Sequence, residues 1–526
     1  MKIAYIPLDD RPVNIDRALW LAGSAGVEIL LPEEELYIIR LDDMPQPNVT
    51  KQERIARLMA WLRDVWDECD AAVVSLDLLL SGGLAAARYL YDEDIVAECA
   101  ALDELAALSK SKPMYVFDTV MRLASTGAFA GYGIYEYEQL RIYGSVARKQ
   151  LDGAALTRDA VLDGYRYDEQ GNEIVSPLSG EIITKYLKAR ERQFRLNDYL
   201  LQSDHAYQYL YIGVDDSMPQ TTIQTNEIRY INSIAEGAIL PATDEFGLMA
   251  IATFAALGSN AKKAEHDGAS GGSPVAIANN LPTISVTYFG TTQDEYGDEY
   301  TYDSLRHSVD AHLEAMPFTM VDDDSGAVKL FVLTRPQSGQ TDEEFDADCH
   351  ALIDRLFDSD NVIVADCSYK KARLAELMLE RGVPLCSLLA YSSWNTVSNA
   401  LGIALSNGLA GYVGLRDGVR CERSFAEGMA FSFLKDCAYK VGAYPLICDY
   451  VQHNVGDYLN FYREMTDRGM THDDVAERVL DIFLGENYRC SARDILANFR
   501  ASGHDIGVKR VAFPMYRLFE MRMIFE

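Results

Sequence analysis

The chain has 526 residues, 48% hydrophobic and 24% charged, which is the profile of a packed globular protein with room for two or three domains or one large barrel with additions. Its net charge of −32, from 80 acidic against 48 basic residues, argues against a general nucleic-acid binder and against attraction to anionic membranes. Nine scattered Cys with no Cys-x-x-Cys pair give neither a disulfide framework nor a structural zinc site.

Taken in chain order, short β-rich runs alternate with helical patterns. "KIAYIPL" (2–8) is the first strand candidate, and its apolar run is too short for a signal peptide. No apolar run reaches membrane-spanning length, so a cytoplasmic location is expected. "VEILL" (27–31), the helical "QERIARLMAWLRDVWDECD" (52–70), "AAVVSLD" (71–77), "MYVFD" (114–118) and "YLYIGV" (209–214) follow. After the Gly-, Ser- and Asn-rich segment 258–280 come "TISVTYF" (283–289), "KLFVLT" (329–334), "NVIVAD" (361–366), "PLCSLLA" (384–390) and "AGYVGL" (410–415). Apolar strands followed by helices require a parallel sheet covered on both faces, so the class is α/β. Without the two weakest strands, 27–31 and 410–415, eight units remain, which fits a (β/α)8-like barrel with insertions. The alternative is two doubly wound lobes divided at the loop or linker 258–280, with α/β parts at 1–257 and 281–416. Residues 417–526 read as a helical C-terminal region, and no internal repeat of fixed period is visible.

Both architectures place ligands at the carboxyl ends of the strands, and there the sequence is rich in acids. Asp9 and Asp10, with Arg11 and Asn14, follow the first strand; Asp77 ends the next, and Arg122 lies four residues past Asp118. Asp215 and Asp216 end "YLYIGV", with Glu227 on the helix beyond. A single Asp after a strand is an ordinary helix cap, which is the simpler reading of Asp77, Asp118 and Asp366. A doublet exceeds what a cap needs. Asp244 and Glu245 precede an apolar helix, where capping and ligand binding are both open. "YSSWNTVSN" sets Trp394 beside Asn395 and Asn399, an apolar face with directional amides suited to a polyhydroxylated ligand, or else a buried Trp with a capping Asn. Phosphate-loop and dinucleotide fingerprints are missing, and His307 with His312 lacks a ligand spacing, so no cofactor or transition-metal site is expected. Carboxylates of this kind would suit only Mg or Mn.

The blocks "IPLDDRPVN", "VDDSMPQTTIQTNEIRYI", "TDEFGLMAIA", "VIVADCSYKKARLAELML" and "LLAYSSWNTVSNALGIALSNG" resemble, in that order, those of a bacterial family catalogued as domain-of-unknown-function family 4127. Ser392 and Ser393 stand where that family usually has Ala-Gly, and Gln220 and Thr221 follow Pro219 where it often has Pro-x-Gly. An Asp-Asp doublet after a fourth barrel strand is also similar to the O-linked N-acetylglucosaminidase group of glycosidases. That likeness implies substrate assistance: Asp215 orients the acetamido group and Asp216 serves as acid and base. The resulting expectation is a glycoside hydrolase-like enzyme acting on a small-molecule or oligosaccharide substrate. Asp215 and Asp216 would carry the chemistry, and Asp9, Asp10, Arg11, Asn14, Asp77, Arg122, Glu227, Asp244, Glu245, Trp394, Asn395 and Asn399 would bind. Two alternatives use the same acids: an Mg- or Mn-dependent hydrolase, and a binding protein without catalysis. Neither nucleic acid nor membrane is an expected partner.

Overall fold

Lys2–Ile6 (β1) sends Ile3 and Tyr5 into one apolar layer and Ala4 and Ile6 into another, which is why its sequence shows no polar alternation. It joins Glu28–Leu30 (β2), Ala71–Ser75 (β3), Met114–Val120 (β4), Tyr209–Val214 (β5) and Ile239–Leu240 (β6) in a parallel sheet of order β2-β1-β3-β4-β5-β6. Thr283–Phe289 (β7), Thr319–Met320 (β8), Val328–Leu333 (β9), Val362–Asp366 (β10) and Ala390–Ser392 (β11) form a second parallel sheet, ordered β11-β10-β9-β7-β8. This computed structural model describes the chain apart from residues 41, 43, 45–48, 90–93, 128, 130, 216, 219–220, 267–280, 296–302, 371 and 486–487.

The α/β class with parallel sheets is what the sequence pattern predicts, and the strand pairing follows the two-lobe arrangement instead of one eight-strand ring. Counted from its own first strand, each sheet begins two-one-three-four-five, so the lobes repeat a topology that the sequence does not repeat. The inner faces meet in one core, to which β1, β9 and β10 contribute Ile3, Leu330 and Ile363. Helices Phe246–His266 and Val397–Asp417, each following the last strand of its lobe, pack together in that layer.

Three expected elements differ. "AGYVGL" lies inside helix Val397–Asp417, and the strand expected at 384–390 begins only at Ala390. The helix from Phe246 runs into the expected linker as far as His266, and residues 267–280 are outside the described part. The C-terminal region is largely helical, but ends in an antiparallel hairpin, Val508–Ala512 (β12) with Arg522–Phe525 (β13). That hairpin returns to the first lobe, where Arg522 donates to Asp16 at 2.8 Å and to the Asp10 carbonyl at 3.1 Å. All nine cysteines are free thiols. Among the described residues, no helix is long and apolar enough to cross a membrane.

Candidate active site

In an open sheet of order two-one-three, the connections leave the first and third strands in opposite directions and open a crevice at their carboxyl ends. In the first lobe that point lies past β1 and β3, where Asp9 and Asp77 stand. Asp9 is 1% exposed. Arg11 Nε donates to both its carboxylate oxygens at 3.0 and 2.9 Å, and Asn14 Nδ2 donates to Oδ1 at 2.7 Å. Tyr5 fixes this turn by donating its hydroxyl to the Asn14 carbonyl at 2.9 Å. The outer nitrogen of Arg11 pairs with Asp244, which follows β6. Asn14 therefore supports Asp9, and Arg11 bridges two strand ends.

Past β3 the chain makes a tight turn through Gly82 and Gly83, at φ +96° and +113°, before the short helix Leu84–Ala87. This turn delivers Arg88, which pairs with Asp215 at the end of β5. Asp77 accepts from the Thr119 hydroxyl at 3.1 Å. Burial pushes its carboxyl up to about 7; the Thr119 bond and the Arg88 charge oppose this, while Asp215 and Asp9 add to it. Burial likewise pushes Asp244 up to about 7 against the pull of Arg11, with Asp9 and Asp215 again adding. Asp118, on β4, is raised well above the carboxylate range by burial and then by Asp77, although Gln193 donates to it at 2.9 Å. Four carboxyls from strand ends and Asp118 from within β4 are thus gathered at one edge of the sheet, with Arg11 and Arg88 among them.

The two doublets divide. Asp9 faces the cluster, whereas Asp10 faces the C-terminal hairpin. Burial and the neighbouring Asp9 push Asp10 up to about 7, and the Ile39 backbone, Arg522 and Arg40 oppose this. Asp215 faces the cluster through Arg88, and Asp216 lies outside the described residues.

The remaining candidates lie outside this cluster and make other contacts. Glu227 is buried against Arg190 at 2.7 Å and accepts from the Tyr165 hydroxyl. Glu245 is fully buried between the lobes, accepting from Asn399 Nδ2 at 2.6 Å with His312 Nε2 at 3.5 Å. Asn395, at φ +56°, donates to Asn399 Oδ1 at 3.0 Å and so belongs to the same inter-lobe network. Trp394 is 2% exposed inside the shared core, so it presents no open face for a sugar; the burial of its flanking strand and helix carries it inward. Arg122 remains at the edge of the site, with its guanidinium over the Tyr137 ring at 5.3 Å.

Sequence reasoning passed over Arg88 and the C-terminal contributors Arg517 and Arg522. Arg88 carries no local signal. In "RLFEMR" (517–522), three charges alternating with apolar residues at the end of a helical region were the available hint. Neither curated proteins nor solved structures match the chain. A family profile does match, over residues 3–523, and the chain therefore belongs to the family described as protein of unknown function, DUF4127.

Proposed function

We propose that the protein is a glycoside hydrolase-like enzyme that takes a carbohydrate at the carboxyl edge of its first sheet. The supporting observation is one enclosure with two kinds of carboxyl. Asp77 and Asp244 are pushed up to about 7, Asp244 sharing Arg11 with Asp9, while Asp215 is in a salt bridge to Arg88. Breaking an acetal C–O bond needs a proton for the leaving oxygen and negative charge facing the anomeric carbon. A carboxyl that keeps its proton, beside carboxylates held by arginine, can divide that work.

Asp244 is the better donor, being 7% exposed where Asp77 is 1% exposed and bound to Thr119. Its proton passes to the leaving oxygen as the C–O bond breaks, and Asp215 faces the developing positive charge. Water then adds to the anomeric carbon and returns a proton to Asp244. On a 2-acetamido sugar the substrate's own acetamido oxygen attacks first, Asp215 accepts its N–H, and Asp216 is the donor. Substrate entry requires the enclosure to open, because Asp9 and Asp77 are 1% exposed and Asp244 7%.

A panel of aryl glycosides that includes 2-acetamido sugars, read with wild type, Asp244→Asn and Asp216→Asn, with and without EDTA, tests this. Loss of a general acid lowers the rate by roughly 10²–10⁴-fold. Asp244→Asn should lose that much on simple glycosides, and Asp216→Asn on acetamido sugars. For wild type, kcat/KM should fall as pH rises through about 7, where the Asp244 proton is lost. Cleavage that survives both substitutions would refute the reading. Cleavage that EDTA abolishes and Mg or Mn restores would replace it with the metal-dependent hydrolase, and binding without turnover with a carbohydrate-binding protein.

A further inference from the structure

A cleft of about 610 Å³ separates the segment after β2 from the C-terminal region, with Glu34, Glu35, Ile38 and Arg40 on one wall and Tyr462 and Tyr516 on the other. Sites for small molecules span about 300–1,000 Å³. The first wall continues the chain past the carboxyl end of β2, so the cleft stands at the same edge of the sheet as the carboxyl cluster. Ile39 packs on the turn that delivers Arg88: a Cβ at Gly83 would lie 3.2 Å from its Cδ1 and 3.4 Å from the Leu8 carbonyl. The charge of Arg40 acts on Asp10 behind this wall and on Tyr516 across the cleft.

The C-terminal wall is held in an unfavourable backbone. Met515 and Tyr516 stand at φ +57° and +51°, a left-handed pair that bulky side chains rarely adopt. Such strain persists only where the surroundings impose it, and it collects at ligand sites. Here the Phe461 N–H donates to the Tyr516 carbonyl at 3.3 Å, the Phe513 N–H to His472 Nε2 at 3.1 Å, and the Tyr439 hydroxyl to the Leu518 carbonyl at 2.5 Å. Arg517 ties the same segment to the Gly127 carbonyl in the loop after β4. The Tyr516 ring is set edge-on to Tyr462 at 4.8 Å, His472 at 5.1 Å and Phe461 at 5.7 Å. Among the described residues neither the Tyr462 nor the Tyr516 hydroxyl makes a hydrogen bond, and Arg40 donates only to the adjoining Ile39 carbonyl, at 3.1 Å. The result is a pair of fixed aromatic rings with donors to spare. A strongly anionic ligand would meet Glu34 and Glu35, both exposed at the rim, and a cationic one Arg40. Donors, acceptors and an apolar face together suit a neutral, polyhydroxylated ring.

We infer that this cleft binds a neutral sugar ring of an oligosaccharide chain, with Tyr516 and Tyr462 against its apolar face and Arg40 and Glu34 on its hydroxyls. The inference rests on the proposed hydrolase reading in taking the next ring of the chain to the carboxyl cluster, which lies beyond Asp10. The substrate is then a chain and not a lone sugar, and the cleft supplies binding energy away from the bond that breaks.

Calorimetry on the full-length protein tests this with cellotetraose, maltotetraose and chitotetraose, beside glucose and N-acetylglucosamine. At least one tetrasaccharide should bind about tenfold or more tightly than its monosaccharide, because a further ring adds burial and hydrogen bonds. Tyr516→Ala, Tyr462→Ala and Arg40→Gln should each weaken that tetrasaccharide about fivefold or more, whereas Tyr516→Phe, which keeps the ring, retains most of the affinity. Circular dichroism melts check that each variant is folded, and Tyr462→Ala with Arg40→Gln carries the test if Tyr516→Ala is not. Affinity that does not rise with chain length in any of the three series, or tetrasaccharide binding indifferent to the folded variants, overturns the cleft. Length-dependent binding that the variants weaken, without any glycoside cleavage, leaves the cleft standing and removes the hydrolase reading instead. Cleavage of aryl monosaccharides by a protein whose affinity is flat with chain length does the reverse.

Discussion

A carboxyl that keeps its proton near pH 7 carries a consequence for stability as well as for catalysis. For Asp244, raised from the ordinary range to about 7, holding the ionised form inside the fold costs on the order of 4 kcal/mol relative to water. The folded chain therefore binds protons at Asp77, Asp244 and Asp10 that the unfolded chain has already released between about pH 4 and 7. Stability falls as pH rises across that window and levels off above it. Asp77→Asn removes one of these penalties and keeps an oxygen for the Thr119 hydroxyl. Its Tm should exceed that of wild type by several degrees at pH 8 and by less at pH 5, in paired thermal melts; an equal gain at both would contradict the raised proton affinity. The sequence displays the acids at the strand ends openly. Which member of the Asp9-Asp10 pair faces the cluster is set by the path after β1 and by a hairpin some five hundred residues on, neither of which local pattern encodes.

The loop after β4 and the helix Val397–Asp417 show how elements are fixed by contacts remote in sequence. Glu227 reads as a site residue from its place after the doublet, yet it is the counter-charge of Arg190, whose other nitrogen holds the loop. Removing one partner of a buried pair costs about 3–5 kcal/mol. Glu227→Gln should lose that much in denaturant melts, and Arg190→Met/Glu227→Leu should lose less than the two single changes summed. The end of helix Val397–Asp417 is expected as a strand because "AGYVGL" (410–415) is a short apolar run, and Gly408, Gly411 and Gly414 lie within the helix. In the fold they permit close approach: a Cβ at Gly414 would run into the Ser24 carbonyl, and one at Gly408 into Ile363. Gly414→Ala should destabilise by about 1–3 kcal/mol, the range for overpacking, despite the better helix propensity of Ala. The long strands were legible because both faces are apolar; β6 and β8, at two residues each, are too short to show any period.

At the scale of the whole molecule, the two lobes repeat one strand order but differ in their carboxyl edges. The first gathers acids. In the second, Asp366 closes its own turn by accepting from Ser368 at 3.1 Å through N–H and 2.6 Å through the hydroxyl. Both sheets rest on the same middle core, with Glu245, Asn399 and His312 buried across it. Differential scanning calorimetry should accordingly show one transition for both lobes, and Glu245→Ala should separate it into two or lower it sharply.

The pairing of helices Phe246–His266 and Val397–Asp417 also sets a schedule for synthesis. The first lobe's strands are complete by Leu240, but the apolar helix that follows waits for its partner until roughly 150 residues later. At about 5–20 residues per second, that leaves it uncovered for some 8–30 s on the ribosome. A nascent chain stalled between these two helices is the form of this protein most in need of a chaperone.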